Sequence, residues 1–222
     1  MHSYLLPLHA EFKRHANEAH ALAMKAYMKD RFPFFGIKTP ERRALMKEHM
    51  AIHGAPALDD LPAIVRSAFR VPQREMHYAA VDLLVKYAKK FTPEHLPLLE
   101  ELITTKSWWD TVDALAIHGA GVILKRYPKE IPKWNKHWIG STDMWLNRTA
   151  IIFQNRWKKD TDQALLFANI DRHVGHKDFF IRKAIGWALR SLGETDPDAM
   201  HTFVRSRELA PLSEREAIRK LV

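Results

Sequence analysis

An alanine followed by an aliphatic residue recurs six times along this chain at almost constant spacing. The six pairs are Ala44-Leu45, Ala80-Val81, Ala114-Leu115, Ala150-Ile151, Ala184-Ile185 and Ala217-Ile218. They stand 36, 34, 36, 34 and 33 residues apart. One such pair is common by chance, but a near-constant period of this length is typical of helix pairs that stack on one another. We therefore predict a helical repeat solenoid of about six helix pairs, whose second helices include residues 94–103 and 164–173.

Helix-start motifs along the chain support an all-α fold. Five segments combine an N-capping residue with a proline or an acid in the first turn. They are Thr39-Pro40-Glu41, Thr92-Pro93-Glu94, Ser107-Trp108-Trp109-Asp110, Asp196-Pro197-Asp198 and Ser213-Glu214-Arg215-Glu216. Apolar residues follow helical spacing between these motifs, and no Asn-Gly or Asp-Gly turn indicates a hairpin. We predict one domain over residues 1–222, and we expect the chain to be shortened at its C-terminus because the helix from Ser213 has no stop signal before Val222.

Several classes of function are excluded or disfavoured by composition. The chain has no cysteine, which excludes disulfides, thiolate zinc sites and thiol catalysis. Of its 13 histidines, His49 and His53 stand four residues apart, a pattern more typical of a solvated helix face than of a metal site. No phosphate-binding glycine loop or metalloprotease motif occurs, so we predict neither metal nor cofactor. Because no apolar run has the length of a membrane span and the N-terminus lacks signal-peptide features, we expect a cytoplasmic protein.

The chain is basic, with 35 lysines and arginines against 26 acids, a net charge of +9 at pH 7. This charge suits a phosphate-rich partner, but many basic proteins are merely soluble, so the placement of the cations has to decide. If the repeated alanines are equivalent, the residue before each one lies on a common helix face with the residues four positions before and after it. This row runs Thr39, Arg43, Lys47; Glu75, Ala79, Leu83; Trp109, Asp113, Ile117; Trp145, Thr149, Phe153; Phe179, Lys183, Trp187; Leu212, Glu216, Lys220.

The row mixes cations at both ends with tryptophans and an acid near its middle. A core face would be uniformly apolar and a solvated face uniformly charged, so this mixture indicates a binding surface. Each cation taken alone is more typical of a solvated face, yet their shared register favours contacts with phosphates along duplex DNA. The candidate phosphate ligands in or beside the row are Arg43, Lys47, Arg148, Lys183 and Arg190.

Asp113 is the candidate for chemistry. Its neighbours are apolar, so an unpaired carboxylate there would be costly if it were buried. It either pairs with a cation or serves a reaction, and the residues alone favour the ion pair while leaving both open. Trp109 and Trp187 are likewise more often packing residues than ligands, but aromatic faces beside a carboxylate would suit a developing positive charge.

Four segments resemble the AlkD-type DNA alkylation repair glycosylases over nearly the whole chain. They are Phe35-Gly-Ile-Lys-Thr-Pro-Glu-Arg-Arg43, Lys106-Ser-Trp-Trp-Asp-Thr-Val-Asp113, Trp145-Leu-Asn-Arg-Thr-Ala-Ile151 and Phe179-Phe-Ile-Arg-Lys-Ala-Ile-Gly-Trp187. The resemblance implies HEAT-like repeats that wrap on DNA with a concave face. It also implies hydrolysis of the N-glycosidic bond of cationic alkylpurines such as N3-methyladenine and N7-methylguanine, without extrusion of the base into a pocket.

The resemblance also implies roles for individual residues. Asp113 would be the catalytic carboxylate, Trp109 and Trp187 would contact the deoxyribose of the lesion, and Arg148 would contact the DNA backbone. Residues near the start of the chain would also lie near DNA, namely Tyr27, Lys38, Thr39, Arg43 and Lys47. Lys38 stands where some relatives would have an uncharged polar residue.

Two other functions compete with a monomeric glycosylase that acts on double-stranded DNA. A non-catalytic HEAT-like module that binds damaged or structured nucleic acid would not need Asp113, so the presence of this residue favours the enzyme. A protein-binding helical scaffold would have a neutral or apolar row, which the cations disfavour.

Overall fold

The computed structural model describes residues 1–219, and none of these lies in a β-strand. The chain divides into two compact units, Met1–Tyr87 and a second that begins at Ala88. The helices of the first unit are α1 (Leu5–Arg14), α2 (Glu18–Tyr27), α3 (Thr39–His53), α4 (Leu61–Arg70) and α5 (Arg74–Tyr87). Those of the second are α6 (Leu96–Thr104), α7 (Trp109–Ala114), α8 (Gly121–Arg126), α9 (Ile131–Ile139), α10 (Met144–Ile152), α11 (Gln163–His173), α12 (Phe179–Gly193), α13 (Pro197–Arg205) and α14 (Pro211–Ile218). The all-α prediction is confirmed, whereas the single domain stays a prediction.

The repeated alanines mark one helix of each pair. They lie in α3, α5, α7, α10, α12 and α14. One helix lies between each of these and the next, if α8 is counted as the continuation of α7. In the first unit α3 packs against α5, and in the second α10 packs against α7 and α12, while α12 packs against α14. The predicted stacking of helix pairs is therefore confirmed within each unit. No helix of the described residues has the length and apolarity needed to cross a bilayer.

Two serines that the sequence predicts as helix caps have other partners. The Ser107 hydroxyl donates to the Ile103 carbonyl at the end of α6 over 2.6 Å, and α7 begins two residues later. Ser213 lies inside α14, and its hydroxyl donates to the Arg182 carbonyl of α12 over 2.9 Å. Both capping predictions are wrong because contacts between neighbouring elements use these hydroxyls.

A π-helical turn joins α7 to α8 in one continuous helical run. The turn covers Leu115–Ala120 and begins two residues after Asp113. Such turns leave the ordinary hydrogen-bond ladder locally and occur frequently at functional sites. Just beyond the turn, the Gly121 carbonyl accepts a 3.1 Å hydrogen bond from the Trp157 indole. A Cβ atom at Gly121 would lie 2.2 Å from the Phe153 carbonyl oxygen, so only glycine allows this close approach.

A buried carboxylate fixes the loop that precedes α3. Glu75 of α5 is fully buried and accepts hydrogen bonds from the backbone N–H groups of Phe35, Gly36 and Ile37, over 2.8–3.2 Å. Gly36 has a φ of +91°, and a Cβ there would lie 2.0 Å from the Asn17 carbonyl oxygen. These contacts hold the backbone that leads into the predicted DNA contacts at the start of α3.

Candidate active site

Asp113 and Arg148 form a bidentate ion pair between neighbouring repeats of the second unit. Nε and Nη2 of Arg148 donate to the two carboxylate oxygens of Asp113, each over 2.7 Å. Nη1 of the same guanidinium donates to the Phe180 carbonyl in the first turn of α12. Arg148 therefore connects α7, α10 and α12, and it fixes the orientation of the Asp113 carboxylate.

The Asp113 side chain is 16% exposed, whereas Arg148 is 5% exposed. Burial raises the pKa of the Asp113 carboxyl above its ordinary value, the Arg148 guanidinium opposes this rise, and Asp110 adds to it. Removing one partner from a buried pair typically costs about 3–5 kcal/mol, because the other charge is left uncompensated. Of the two alternatives for Asp113, the structure shows the ion pair, and the side chain keeps a small exposed fraction.

Both tryptophans assigned to the site belong to helices that Arg148 connects. Trp109 is the first residue of α7, one turn before Asp113, and Trp187 lies in the middle of α12. Both side chains are half-buried. Trp108 and Trp138, by contrast, are 7% and 0% exposed and belong to the core. Partial exposure leaves Trp109 and Trp187 able to contact a ligand, although their predicted role stays a prediction.

An aromatic cluster that the sequence did not reveal supports this region. The rings of Trp108, Trp145 and Phe180 lie 4.8–5.8 Å apart, centroid to centroid, in edge-to-face and tilted arrangements. Each ring stands at or just before the start of α7, α10 or α12. Such pairs add about 0.5–1.5 kcal/mol each beyond the area they bury. The cluster holds together the three helix starts that Arg148 also bridges.

Arg148 differs most from its predicted placement. The row predicts a cation displayed toward phosphate, but the structure places this guanidinium in a buried pair whose donors are engaged by Asp113 and Phe180. A contact between Arg148 and the DNA backbone therefore stays a prediction. The role that the geometry supports is positioning of the Asp113 carboxylate.

Lys183 and Arg190 converge on an acid that the sequence did not single out. Glu216 of α14 is 7% exposed. One carboxylate oxygen accepts from Lys183 Nζ over 2.8 Å, and the other accepts from Arg190 Nη1 over 3.2 Å. Lys183 lowers the pKa of Glu216 by a hydrogen bond, and Arg190 does so to a lesser extent. The two cations remain partly exposed, and Glu216 fixes their positions on α12.

The remaining predicted DNA contacts lie in the first unit. Lys38, Thr39, Arg43 and Lys47 are all exposed at the start and along one face of α3. Arg43 is ion-paired with Asp82 of α5 over 3.1 Å. Tyr27, the last residue of α2, is 69% exposed. Lys220, the last member of the row, lies outside the described residues.

A metal-binding arrangement is not evident in the part of the chain that the structure describes. No group of three or more histidines, aspartates and glutamates among residues 1–219 could hold an ion. The His49 and His53 rings lie 4.7 Å apart on α3. The interpretation of this pair as a solvated helix face is wrong for His49, which is buried. The expectation of a metal-free protein stays a prediction.

Comparison with known proteins assigns the chain to one family. A family model for the DNA alkylation repair enzymes matches residues 8–221. The chain therefore belongs to the DNA alkylation repair enzyme family. No curated protein matches the chain.

Solved structures agree with this assignment. A predicted DNA alkylation repair enzyme from Enterococcus faecalis shares 31% identity, with 93% of this chain and 97% of that chain covered and a TM-score of 0.87. AlkD2 from Streptococcus mutans shares 16% identity over 83% of this chain and 90% of that chain, with a TM-score of 0.61. The second similarity shows that the fold is that of AlkD-type proteins.

Proposed function

We propose that this protein is a monofunctional DNA glycosylase that excises cationic alkylated purines from duplex DNA. Its substrates would be N3-methyladenine, N7-methylguanine and bulkier adducts of the same charge, and its product an abasic site. It would act as a monomer in the cytoplasm and without a cofactor. The observation that carries the proposal is the partly exposed Asp113 carboxylate, held in one orientation by two hydrogen bonds from Arg148.

The chemistry requires one correctly placed carboxylate. An alkylated purine carries a positive charge and leaves as a neutral base, because the electron pair of the breaking N-glycosidic bond moves onto the purine. The deoxyribose passes through an oxocarbenium-like state, as in glycoside hydrolysis. A carboxylate close to the sugar stabilises this cation and orients the water whose oxygen bonds to C1′. Asp113 would supply both effects. After the water oxygen bonds to C1′, the water releases one proton to solvent, which leaves the hydroxyl group of the abasic sugar.

Arg148 supports this role in two ways. Its two hydrogen bonds use one lone pair on each carboxylate oxygen, so the other lone pair on each oxygen remains available to the sugar and to water. It also opposes the rise in the Asp113 pKa caused by burial, which favours the ionised form that the reaction needs. Trp109 and Trp187, half-buried on α7 and α12, would add the electrostatic attraction of their ring faces for a cationic sugar.

DNA binding would use cations that contact phosphates without reading sequence. Arg43 and Lys47, exposed along α3, and Lys183 and Arg190, fixed by Glu216, are the proposed phosphate ligands. Tyr27, Lys38 and Thr39 would contact the same backbone from the first unit. Because the Asp113 side chain is partly exposed, we propose that excision does not require the lesion to enter a base pocket.

The test is release of free base from a duplex that carries a single N7-methylguanine. Asp113→Asn keeps the shape of the side chain and removes its charge, while Asp198→Asn is a matched control at an exposed acid of the same unit. We expect the parent and the control to release base, and Asp113→Asn to lose excision while it still binds the duplex. Base release at the parental rate by folded Asp113→Asn would overturn the assignment of Asp113. No release by any of the three, with binding intact, would establish the non-catalytic module.

A further inference from the structure

A second feature of the Asp113 helix is a cationic cavity beyond the π-helical turn. The cavity has a volume of about 450 Å³. It lies wholly in the second unit and is lined by Lys89, Ile117, His118, Gly121, Val122, Lys125, Arg126, Arg156 and Trp157. Ile117 stands four residues after Asp113 on the same helical run, so one helical run contributes to both the candidate active site and the cavity.

The rim of this cavity is strongly positive. Lys89, Lys125, Arg126 and Arg156 are all exposed, and no acid of the described residues is part of the lining. Asp160 pairs with Lys125 over 2.8 Å, which leaves an excess of cations around the opening. Such a concentration of positive charge favours a ligand that carries phosphate.

One cation of the rim is anchored, and a partly buried histidine adds to the lining. Nη1 of Arg126 donates to the carbonyl oxygens of Lys89 and Phe91, over 2.6 and 3.0 Å. His118 is half-buried, and burial together with the charge of Arg156 lowers its pKa, so the imidazole is neutral at neutral pH. The cavity therefore presents anchored positive charge and a neutral ring nitrogen that can hydrogen-bond.

The floor of the cavity is apolar. Ile117 and Trp157 are 4% and 7% exposed, and the Trp157 indole N–H is already bound to the Gly121 carbonyl. A lone phosphate would gain nothing from such a floor, and the volume falls in the range of pockets that hold a small organic ligand. A flat apolar ring attached to a phosphate matches both the floor and the rim.

We propose that this cavity binds one unpaired nucleotide of DNA, with its base against Ile117, Val122 and Trp157 and its phosphates at the four rim cations. The inference rests on the proposed function in that DNA is the ligand. Hydrolysis next to Asp113 leaves a nucleotide without a pairing partner, and a cavity on the same helical run is placed to accept it. Displacing a base that has lost its partner costs less than displacing a paired one.

The test compares two undamaged fluorescein-labelled duplexes, one fully paired and one with a single-nucleotide bulge, at one fixed salt concentration. Val122→Trp fills the half-buried wall of the cavity, Arg156→Gln removes one rim charge, and Arg205→Gln is a control for lost charge on α13. We expect the parent and the control to bind the bulged duplex roughly tenfold more tightly, within the range that one stacked base contributes. Val122→Trp should lose this preference and keep its affinity for the paired duplex.

Arg156→Gln should reduce the same preference, and it decides the question if Val122→Trp fails to fold. Equal affinity of the parent for both duplexes, or an unchanged preference in a folded cavity variant, would overturn the proposal. The measurement uses no lesion and leaves Asp113 intact. Failure of the parent to release base in the earlier test would thus refute the proposed reaction without affecting this result. Equal binding of the two undamaged duplexes would refute the cavity proposal without affecting the proposed reaction.

Discussion

The guanidinium of Arg148 contacts both oxygens of the Asp113 carboxylate over 2.7 Å, although the two residues stand 35 positions apart in the sequence. That separation is one repeat, so the pair joins equivalent faces of neighbouring helices. The pair places the Arg148 guanidinium where it holds the carboxylate that we propose to be catalytic and also partly neutralises its charge. The balance between these two effects can be measured through the ionisation of Asp113.

The excision rate should fall, on the acid side of its pH profile, at a pH above the ordinary pKa of an aspartate. Burial raises the pKa of Asp113 above its ordinary value of 3.8, and the proposed reaction needs the ionised form. The excision rate should therefore be full well above the pKa of the folded protein and fall as the pH drops through it. Single-turnover rates on N7-methylguanine duplex over a pH series measure this. A rate that stays constant down to pH 3.8 would contradict it.

Ionisation of Asp113 should also affect stability, with a definite sign. Because the folded pKa is raised, the folded state holds a proton more firmly than the unfolded state. The favourable contribution of the Asp113 proton to the free energy of unfolding is complete below the pKa of the unfolded state. It is lost as the pH rises through the pKa of the folded state. Urea unfolding of the parent and of Asp113→Asn over a pH series should show this dependence in the parent alone.

Replacing Arg148 should raise the pKa of Asp113 further and slow the proposed reaction. Arg148→Gln leaves a largely buried carboxylate without its cation, so we expect a loss of about 3–5 kcal/mol of unfolding free energy and a further rise in the Asp113 pKa. Arg148→Lys restores charge but not the two-point contact, and should recover part of the rate. A merely structural arginine would lower stability and leave the acid limb of the rate profile where it was.

The repeat and the helices were predictable because apolar spacing and helix-start residues are local signals that recur in each repeat. The partners of the site residues were harder to predict, since each depends on how two helices stack. One signal was nevertheless available. Lys183 and Glu216 stand 33 positions apart, as nearly one repeat as Asp113 and Arg148. Opposite charges one repeat apart could have been matched from the sequence.

Other features left no such signal. The π-helical turn after Asp113 contains more residues per turn than an α-helix, and the spacing of apolar residues over so short a segment does not reveal this difference. The role of Glu75 was hidden as well, because its three donors are backbone N–H groups of a loop 38 to 40 positions earlier. Backbone donors are present at every residue but proline, and the identity of the side chains does not reveal which ones a carboxylate will bind.

Glu75→Gln tests how firmly that loop depends on its carboxylate. An amide offers one acceptor oxygen in place of two, so at least one buried N–H group loses its partner. We expect a loss of about 1.5–3 kcal/mol of unfolding free energy, the usual range for a hydrogen bond to a charged group. Urea unfolding provides the measurement, with the exposed Glu48→Gln of α3 as a control that should change little. A folded Glu75→Gln protein as stable as the parent would show that water or another group satisfies these donors.

Lys183 distinguishes a phosphate ligand from a simple partner of Glu216. If Lys183 contacts a phosphate, Lys183→Gln should weaken binding to every duplex sequence to a similar degree and reduce the slope of log affinity against log salt by about 0.9. Fluorescence anisotropy at several salt concentrations measures the slope, and Lys133→Gln of α9 serves as a control for lost charge. If Lys183 only pairs with Glu216, the variant should lose stability while its salt slope matches that of the control. Because the Lys183 side chain is 34% exposed, it can bind Glu216 with one N–H group and still present others to a phosphate, which favours the first outcome.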